Sequence, residues 1–365
     1  MTTARAVVLR DFATPPAVAS FELPPAPADG LTVACRYGGI CGTDLHLAQG
    51  HLPVPVPLVL GHEGLGTVHE LGPGTTQDSD GAPLAVGDTV MWASSIACGE
   101  CHSCRTLREP TLCARRQTYG VNRPTSEASP LRGSWAQYIT LEPRTAVFRL
   151  APGTDPVAAM ALACAGPTMI HALWERRPVR LGETVVVQGS GPVGLAAACL
   201  AQLAGARVLL VGGPASRLAA ARAAGIADEY IDTVETGTPE QALARVLELT
   251  GGLGADLVIE CAGVPVAVEQ GTRMARRGGS YLIVGQYTDS GSTSFNPHQI
   301  VHRQLDLVGS WAFTGAHLGA YIRLLPQLLA RFDLASLVTT FPLDQVGTAM
   351  GEASRGTALK AVLAC

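Results

Sequence analysis

The chain has 365 residues, 47% hydrophobic and 15% charged, with 41 glycines and a formal net charge of −4. That length exceeds one ordinary core and implies two domains, and the apolar fraction excludes a disordered or fibrous chain. The mild acidic balance without a basic run excludes a nucleic-acid partner, and no stretch of roughly twenty apolar residues is available to span a membrane.

The N-terminal residues lack an apolar signal core, so a cytoplasmic protein is expected. Short β-type runs follow at 6–9, 31–37, 66–71, 88–92 and 135–141, broken by Gly and Pro. Segments 77–83 and 123–132 read as surface loops. Asp155-Pro156 is a helix start, with Asp155 as cap and Pro156 in the first turn. From Glu183 onward strands and helices alternate. The strand candidates are 184–188, 207–211, 256–260, 280–284 and 305–310, with a helix at 192–204 and a capping box at Thr238–Gln241. Such alternation predicts a parallel sheet covered on both faces, an α/β fold class. A helix at 321–332 should be kinked or interrupted at Pro326, a second spans 344–354 before Gly356, and 358–363 closes the chain as a strand.

Strand 184–188 runs into Gly189-Ser190-Gly191-Pro192-Val193-Gly194 and then a helix, which is the context a dinucleotide-binding loop requires. Gly189 permits the sharp turn, Gly191 the approach of a pyrophosphate, and Gly194 close helix–strand packing. The helix start, with Pro192 and Val193, offers free N–H groups to phosphate. The place usually held by a ribose-binding acid is Gly212, with Arg217 the only base nearby, so the choice between NAD(H) and NADP(H) stays open.

Ten cysteines are present, and four of them form Cys98-x2-Cys101-x2-Cys104-x8-Cys113. In a long chain without a secretion signal such clustering favours a metal over disulfides. Four thiolates close a tetrahedral shell, so a zinc held there is structural. A catalytic zinc needs three protein ligands and an open position. Two segments could supply them: Gly39-Ile-Cys41-Gly-Thr43-Asp44-Leu-His46 and Gly61-His62-Glu63-Gly64.

These two segments resemble the catalytic signatures of the zinc-dependent alcohol dehydrogenases in the medium-chain dehydrogenase/reductase superfamily. The four-cysteine lobe, the glycine loop and the returning segment Gly356-Thr-Ala-Leu-Lys-Ala-Val occur in the family's order, so the resemblance spans the whole chain. It implies a GroES-like β-barrel catalytic domain from 1–165 and 311–365, and a Rossmann doubly wound domain at 166–310, with the active cleft where they meet. By the same resemblance Cys41, His62 and Cys164 hold the catalytic zinc, giving two Zn2+ per chain. Glu63 sits beside the metal as an outer group or occasional fourth ligand, and Asp44 orients His62. Thr43 and His46 match the family's proton relay. Thr168, one helical turn beyond Cys164, contacts the nicotinamide. Trp92, Ser94, Tyr119, Gln286 and Trp311 fall where relatives place pocket walls. The lobe carries eight residues before its last cysteine where many relatives carry seven, and the extra residue near Glu109-Pro110 should bulge outward.

The implied activity is reversible hydride transfer between an alcohol, secondary or cyclic, and NAD(P)+, in a homodimer or homotetramer. A polyol or amino-alcohol dehydrogenase is the alternative on the same scaffold. A zinc-free enone reductase would lack the cysteine lobe, and a zinc-ribbon interaction protein would lack the dinucleotide loop. Lys360 is the only lysine and receives no role. The histidines other than His46 and His62 read as surface or packing residues, with His51 a pocket-rim exception.

Overall fold

The β-type run at 31–37 becomes Leu31–Gly39, the central strand of the first of two units in a computed structural model that describes residues 2–365. This unit contains the chain up to Cys164, with Phe313–Pro326 and Val338–Cys365. Leu31–Gly39 pairs antiparallel with Gly64–Leu71, with Tyr138–Leu141 and with the C-terminal Lys360–Ala364. The last pairing sets Val362 against Gly39 and Leu363 against Gly38. It brings the chain's end onto the Gly38-Gly39 pair, which only a non-local topology can do. Thr89–Trp92 and Val147–Arg149 extend one side of the sheet, and Val338–Pro342 ends the other. A second, smaller sheet pairs Thr3–Leu9 with Ala17–Glu22 and Leu58–Val59. Fully buried Leu9, Leu47, Leu58, Leu60, Trp135 and Leu363 fill one core of this unit.

The 123–132 segment is not the surface loop its polarity suggests. Arg123 and Arg132 are buried, as are Ser129 and Leu131. The reason is ionic pairing: Arg123 binds Glu127 and Glu142, and Arg132 Nη2 lies 2.7 Å from Glu142 Oε1. The buried guanidinium of Arg123 is tolerated because carboxylates fill its fork.

The second unit, Ala165–Ala312 with Gln327–Leu337, is built on six parallel strands. Thr184–Gln188 lies between Arg207–Gly212 and Ala255–Glu260. Glu229–Asp232 flanks one side, and Ala275–Ile283 then Asp306–Gly309 the other. Taken in sequence order the strands lie third, second, first, fourth, fifth, sixth, the doubly wound order that binds dinucleotides. Helices Pro192–Leu203, Ala215–Ala223, Pro239–Leu249 and Val266–Met274 connect them. Strand Glu229–Asp232 escapes sequence reading because it has four residues and only Ile231 is buried.

Local signals hold where a cap defines them. Asp155 Oδ1 accepts from Val157 N at 2.8 Å, Thr238 Oγ1 accepts from Gln241 N at 3.3 Å, and Gly356 ends its helix at φ 73°. Pro326 lies inside Gly315–Arg331 without interrupting it. Leu318, Tyr321, Leu325, Leu328 and Phe332 are all nearly fully buried at helical spacing. Each such burial is worth about 1.5–3 kcal/mol, and the five together outweigh the ~3 kcal/mol of one proline. No helix among the described residues is long and apolar enough to cross a membrane.

Candidate zinc and dinucleotide sites

Cys98, Cys101, Cys104 and Cys113 converge with their sulfurs within 4.8 Å of one another. The short helix His102–Arg105 and the 3-10 turn Pro110–Leu112 fold the lobe back on itself. Leu112 in that turn and Leu107 before it are half exposed, and the four sulfurs converge across the eight-residue spacing. Cys101 Sγ lies 3.5 Å from Cys104 Sγ and 3.8 Å from Cys113 Sγ. A disulfide needs about 2.05 Å, whereas four sulfurs about 2.3 Å from one zinc lie about 3.8 Å apart. The residues therefore fit a closed tetrahedral metal shell. Backbone N–H donors favour thiolate here: Cys101 N donates to Cys98 Sγ and Cys98 N to Cys113 Sγ. The Glu100 and Cys101 amides bring Cys98 down to about 6, while burial and the Cys101 contact push Cys104 up to about 12.

The second cluster is assembled from distant segments. Cys41, His62, Glu63 and Cys164 each offer a ligand atom, all within 4.8 Å of one another. Cys41 caps helix Gly42–Ala48. Asp44, fully buried, accepts from Cys41 N at 2.8 Å through Oδ2 and meets His62 Nδ1 at 3.1 Å through Oδ1. One carboxylate thus fixes the backbone of one ligand and the ring of another, leaving His62 Nε2 as the atom available to a metal. Cys164 closes the set just after the apolar stretch that follows Pro156–Met160. A hydrogen bond from Cys164 holds Cys41 well below the usual thiol range, and that same contact with burial pushes Cys164 well above it. Burial works against a charged His62, but Asp44, Cys164 and Cys41 together raise it well above its ordinary value.

Glu63 is buried, and its Oε1 has no hydrogen-bond partner among the described residues. Its Oε2 accepts from Lys360 Nζ, and the same ammonium donates to Ile40 O at 3.3 Å. A Cβ on Gly39 would meet Glu63 Oε2 at 2.2 Å, so glycine is what lets this carboxylate lie against the central strand. Desolvation raises Glu63, with Lys360 opposing it; desolvation likewise lowers Lys360, and Glu63 with Cys41 more than reverses that. Sequence reading missed Lys360 as a site residue. Its signal was available: a solitary lysine between Leu359 and Ala361-Val362 has no apolar reason to be there.

Thr43 lies in the first turn of the Cys41-capped helix and His46 in its last. His46 Nδ1 faces His51 Nδ1 at 3.2 Å, and burial, with His51, lowers His46. His51 therefore lies against the expected relay residue. The pocket-wall expectations divide. Trp92 packs its ring against Gly64, and Tyr119 spends its hydroxyl internally, accepting from Glu142 N at 2.8 Å beside Thr145 Oγ1 at 2.7 Å. Ser94 is buried. Trp311 is partly exposed and stacks on Tyr287 at 4.6 Å, next to Gln286 in sequence.

In the second unit a cavity of about 460 Å³ is lined by Gln188, Gly189, Ser190, Gly191, Gly212 and Arg217, among others. Gly189 has φ 110°, and a Cβ on Gly194 would meet Gly189 O at 1.8 Å. A Cβ on Gly191 would meet nothing within 4 Å. The loop is thus shaped by its outer glycines and open at its middle one. Pro192 and Val193 begin the helix that follows. Thr168 lies in helix Ala165–Ile170 and does not line this cavity.

Residues 27–152 match the alcohol dehydrogenase GroES-like domain and residues 192–329 the zinc-binding dehydrogenase family. The chain is 35% identical over 354 residues to 5-exo-hydroxycamphor dehydrogenase of Pseudomonas putida, covering 95% of each. It superposes on an alcohol dehydrogenase from Thermotoga maritima with a TM-score of 0.93 at 32% identity, covering 100% of both chains. A zinc-binding dehydrogenase from Sinorhizobium meliloti 1021, solved bound to NADP, gives a TM-score of 0.86 at 26% identity over 100% of both. The chain belongs to the zinc-dependent alcohol dehydrogenases of the medium-chain dehydrogenase/reductase superfamily. Within that class it is an oxidoreductase with a GroES-like unit and a Rossmann-type parallel sheet.

Proposed function

We propose that this chain catalyses reversible hydride transfer between a secondary or cyclic alcohol and a nicotinamide dinucleotide, with one catalytic and one structural zinc. The observation that carries the reading is the convergence of Cys41, His62, Glu63 and Cys164, drawn from three segments, into one ligand cluster. When bound, zinc supplies Lewis acidity that lowers the pKa of an alcohol hydroxyl. Cys41, His62 and Cys164 hold the ion. Asp44 keeps His62 in the tautomer that presents Nε2. Glu63, anchored by Lys360, would offer the ion a carboxylate oxygen beside those three ligand atoms. Thr43 accepts the substrate proton at its hydroxyl and passes it to the His46 ring, whose lowered basicity favours onward release. Cys98, Cys101, Cys104 and Cys113 hold the second zinc and give the lobe a core it otherwise lacks.

The Gly189–Gly194 loop would hold the dinucleotide, and the open space at Gly191 would admit its pyrophosphate. The likeness to a hydroxycamphor dehydrogenase over nearly the whole chain supports a cyclic secondary alcohol as the substrate class. A homodimer or homotetramer is supported by strand Asp306–Gly309, an edge of the six-stranded sheet that carries exposed Leu307, with Val301 and Trp311 exposed in the segments that flank it in sequence. The test is a panel of cyclic, secondary and polyhydric alcohols with NAD+ and NADP+, followed by the absorbance of reduced nicotinamide, together with metal analysis. Two zincs and cyclic-alcohol turnover are expected. A fully active metal-free protein, or turnover confined to polyols, would refute the reading.

A further inference from the structure

The position that follows strand Arg207–Gly212 decides how a dinucleotide's adenosine ribose is recognised. An acid there accepts hydrogen bonds from the ribose diol and repels a 2′-phosphate. In this chain no acid can occupy the position. A Cβ on Gly212 would meet Ser190 Oγ at 2.8 Å, and Ser190 Cβ and N at 2.9 Å. Ser190 is buried, and its hydroxyl donates to Gly213 O at 3.0 Å. The Gly212 carbonyl accepts from Thr233 N at 2.9 Å and Thr233 Oγ1 at 3.1 Å. The Gly212 and Gly213 carbonyls are thus both engaged within the protein.

The cavity wall agrees. Its lining residues include no Asp or Glu and one cation, Arg217, with the hydroxyls of Thr233 and Thr238. Asp232, at the end of the neighbouring strand, does not line it. Its Oδ1 accepts from Val234 N at 2.8 Å and Glu235 N at 3.3 Å. Arg217 is half-buried in a helix that starts just after the strand, so its guanidinium is only partly hydrated and gains more from a phosphate.

We infer that the adenosine end of this cavity selects the 2′-phosphorylated dinucleotide, NADP(H), with Arg217 as the phosphate partner and Ser190 as the residue that keeps the competing acid out. This inference rests on the proposed dinucleotide site and narrows it. An NAD(H) ribose finds no carboxylate acceptor among the lining residues, whereas a 2′-phosphate finds the Arg217 guanidinium and the Thr238 hydroxyl.

The test uses the full-length, zinc-loaded protein and measures Kd for NADPH and NADH by fluorescence titration, with 2′-AMP and 5′-AMP as competitors. NADPH should bind about tenfold or more tightly than NADH, with the ratio shrinking as salt is raised. 2′-AMP should compete better than 5′-AMP. Arg217→Gln should bring the NADH-to-NADPH Kd ratio to within about threefold of unity. Gly212→Asp with Ser190→Gly is the converse variant and should favour NADH; if it does not fold, Arg217→Gln still decides. Tighter binding of NADH, or an Arg217→Gln variant that weakens both nucleotides equally, overturns the inference alone. Binding of neither nucleotide overturns the proposed function with it.

Discussion

Lys360 Nζ and Glu63 Oε2 are hydrogen-bonded partners 297 residues apart in sequence, each almost wholly removed from solvent. The register of the last strand against Leu31–Gly39 makes the pairing possible, because Ile40 N donates to Ala361 O at 2.9 Å and sets Lys360 beside the glycine that admits Glu63. A buried ion pair contributes little net stability over an apolar pair, but removing one partner leaves an uncompensated charge. Lys360→Met should therefore cost about 3–5 kcal/mol in urea unfolding, and Lys360→Met with Glu63→Leu should recover most of it. A single variant as stable as the parent would show that the pair is not held as described.

The two cysteine clusters should separate by what is lost. Cys41→Ser should remove one zinc per chain and turnover while leaving thermal melting close to that of the parent, since Asp44 and the capped helix remain. Cys101→Ser should also remove one zinc but lower Tm by several degrees, because the lobe has little core besides its metal. Metal analysis read beside melting distinguishes them, and equal melting in both variants contradicts the division of roles.

The three loop glycines make a sharper separation. Gly191→Asp places its side chain in open space, so the protein should fold normally and lose dinucleotide affinity through charge. Gly194→Ala forces a Cβ onto Gly189 O at 1.8 Å and should destabilise the second unit, by about 1–3 kcal/mol. Titration of the reduced cofactor alongside unfolding checks both, and an unaltered Kd in Gly191→Asp would remove this loop from the cofactor site.

Much of this organisation is written locally and is therefore readable from sequence. The glycine loop, the Asp155 and Thr238 caps and the cysteine spacing each depend on neighbours within a few residues. The β–α alternation reports the doubly wound sheet for the same reason. What is not readable depends on distant residues. Lys360 has meaning only once strand Lys360–Ala364 is laid on the centre of the first sheet. The polar run 123–132 reads as solvent-facing until Glu142 is known to lie against both arginines. Tyr119 is a pocket candidate by position, yet its hydroxyl is turned to the Glu142 amide. Ser190 looks like a neutral filler in a glycine motif, and its contact with Gly212 appears only when two parallel strands are set side by side.

The arginine–carboxylate knot predicts an acid-sensitive step. Hydrogen bonding by Arg123, then the charges of Arg132 and Arg123, hold Glu142 below the usual carboxylate range, against desolvation. A folded value below the unfolded one gives stability that is present above the unfolded pKa of about 4.3 and is lost as pH falls through the folded value. Glu142→Gln should be less stable than the parent by about 1–3 kcal/mol near neutrality, and the gap should close below roughly pH 4. Urea melts at a series of pH values measure it. A gap that persists unchanged in acid would assign the loss to packing instead.

The seclusion of Lys360 turns the chain's solitary ε-amine into an internal reporter. Reagents that acylate primary amines will find no side-chain target on the folded surface. Modification of that nitrogen must wait for the first unit to open around Glu63. Its labelling rate, followed by mass spectrometry, thus times the breathing of the metal-binding core without any introduced probe.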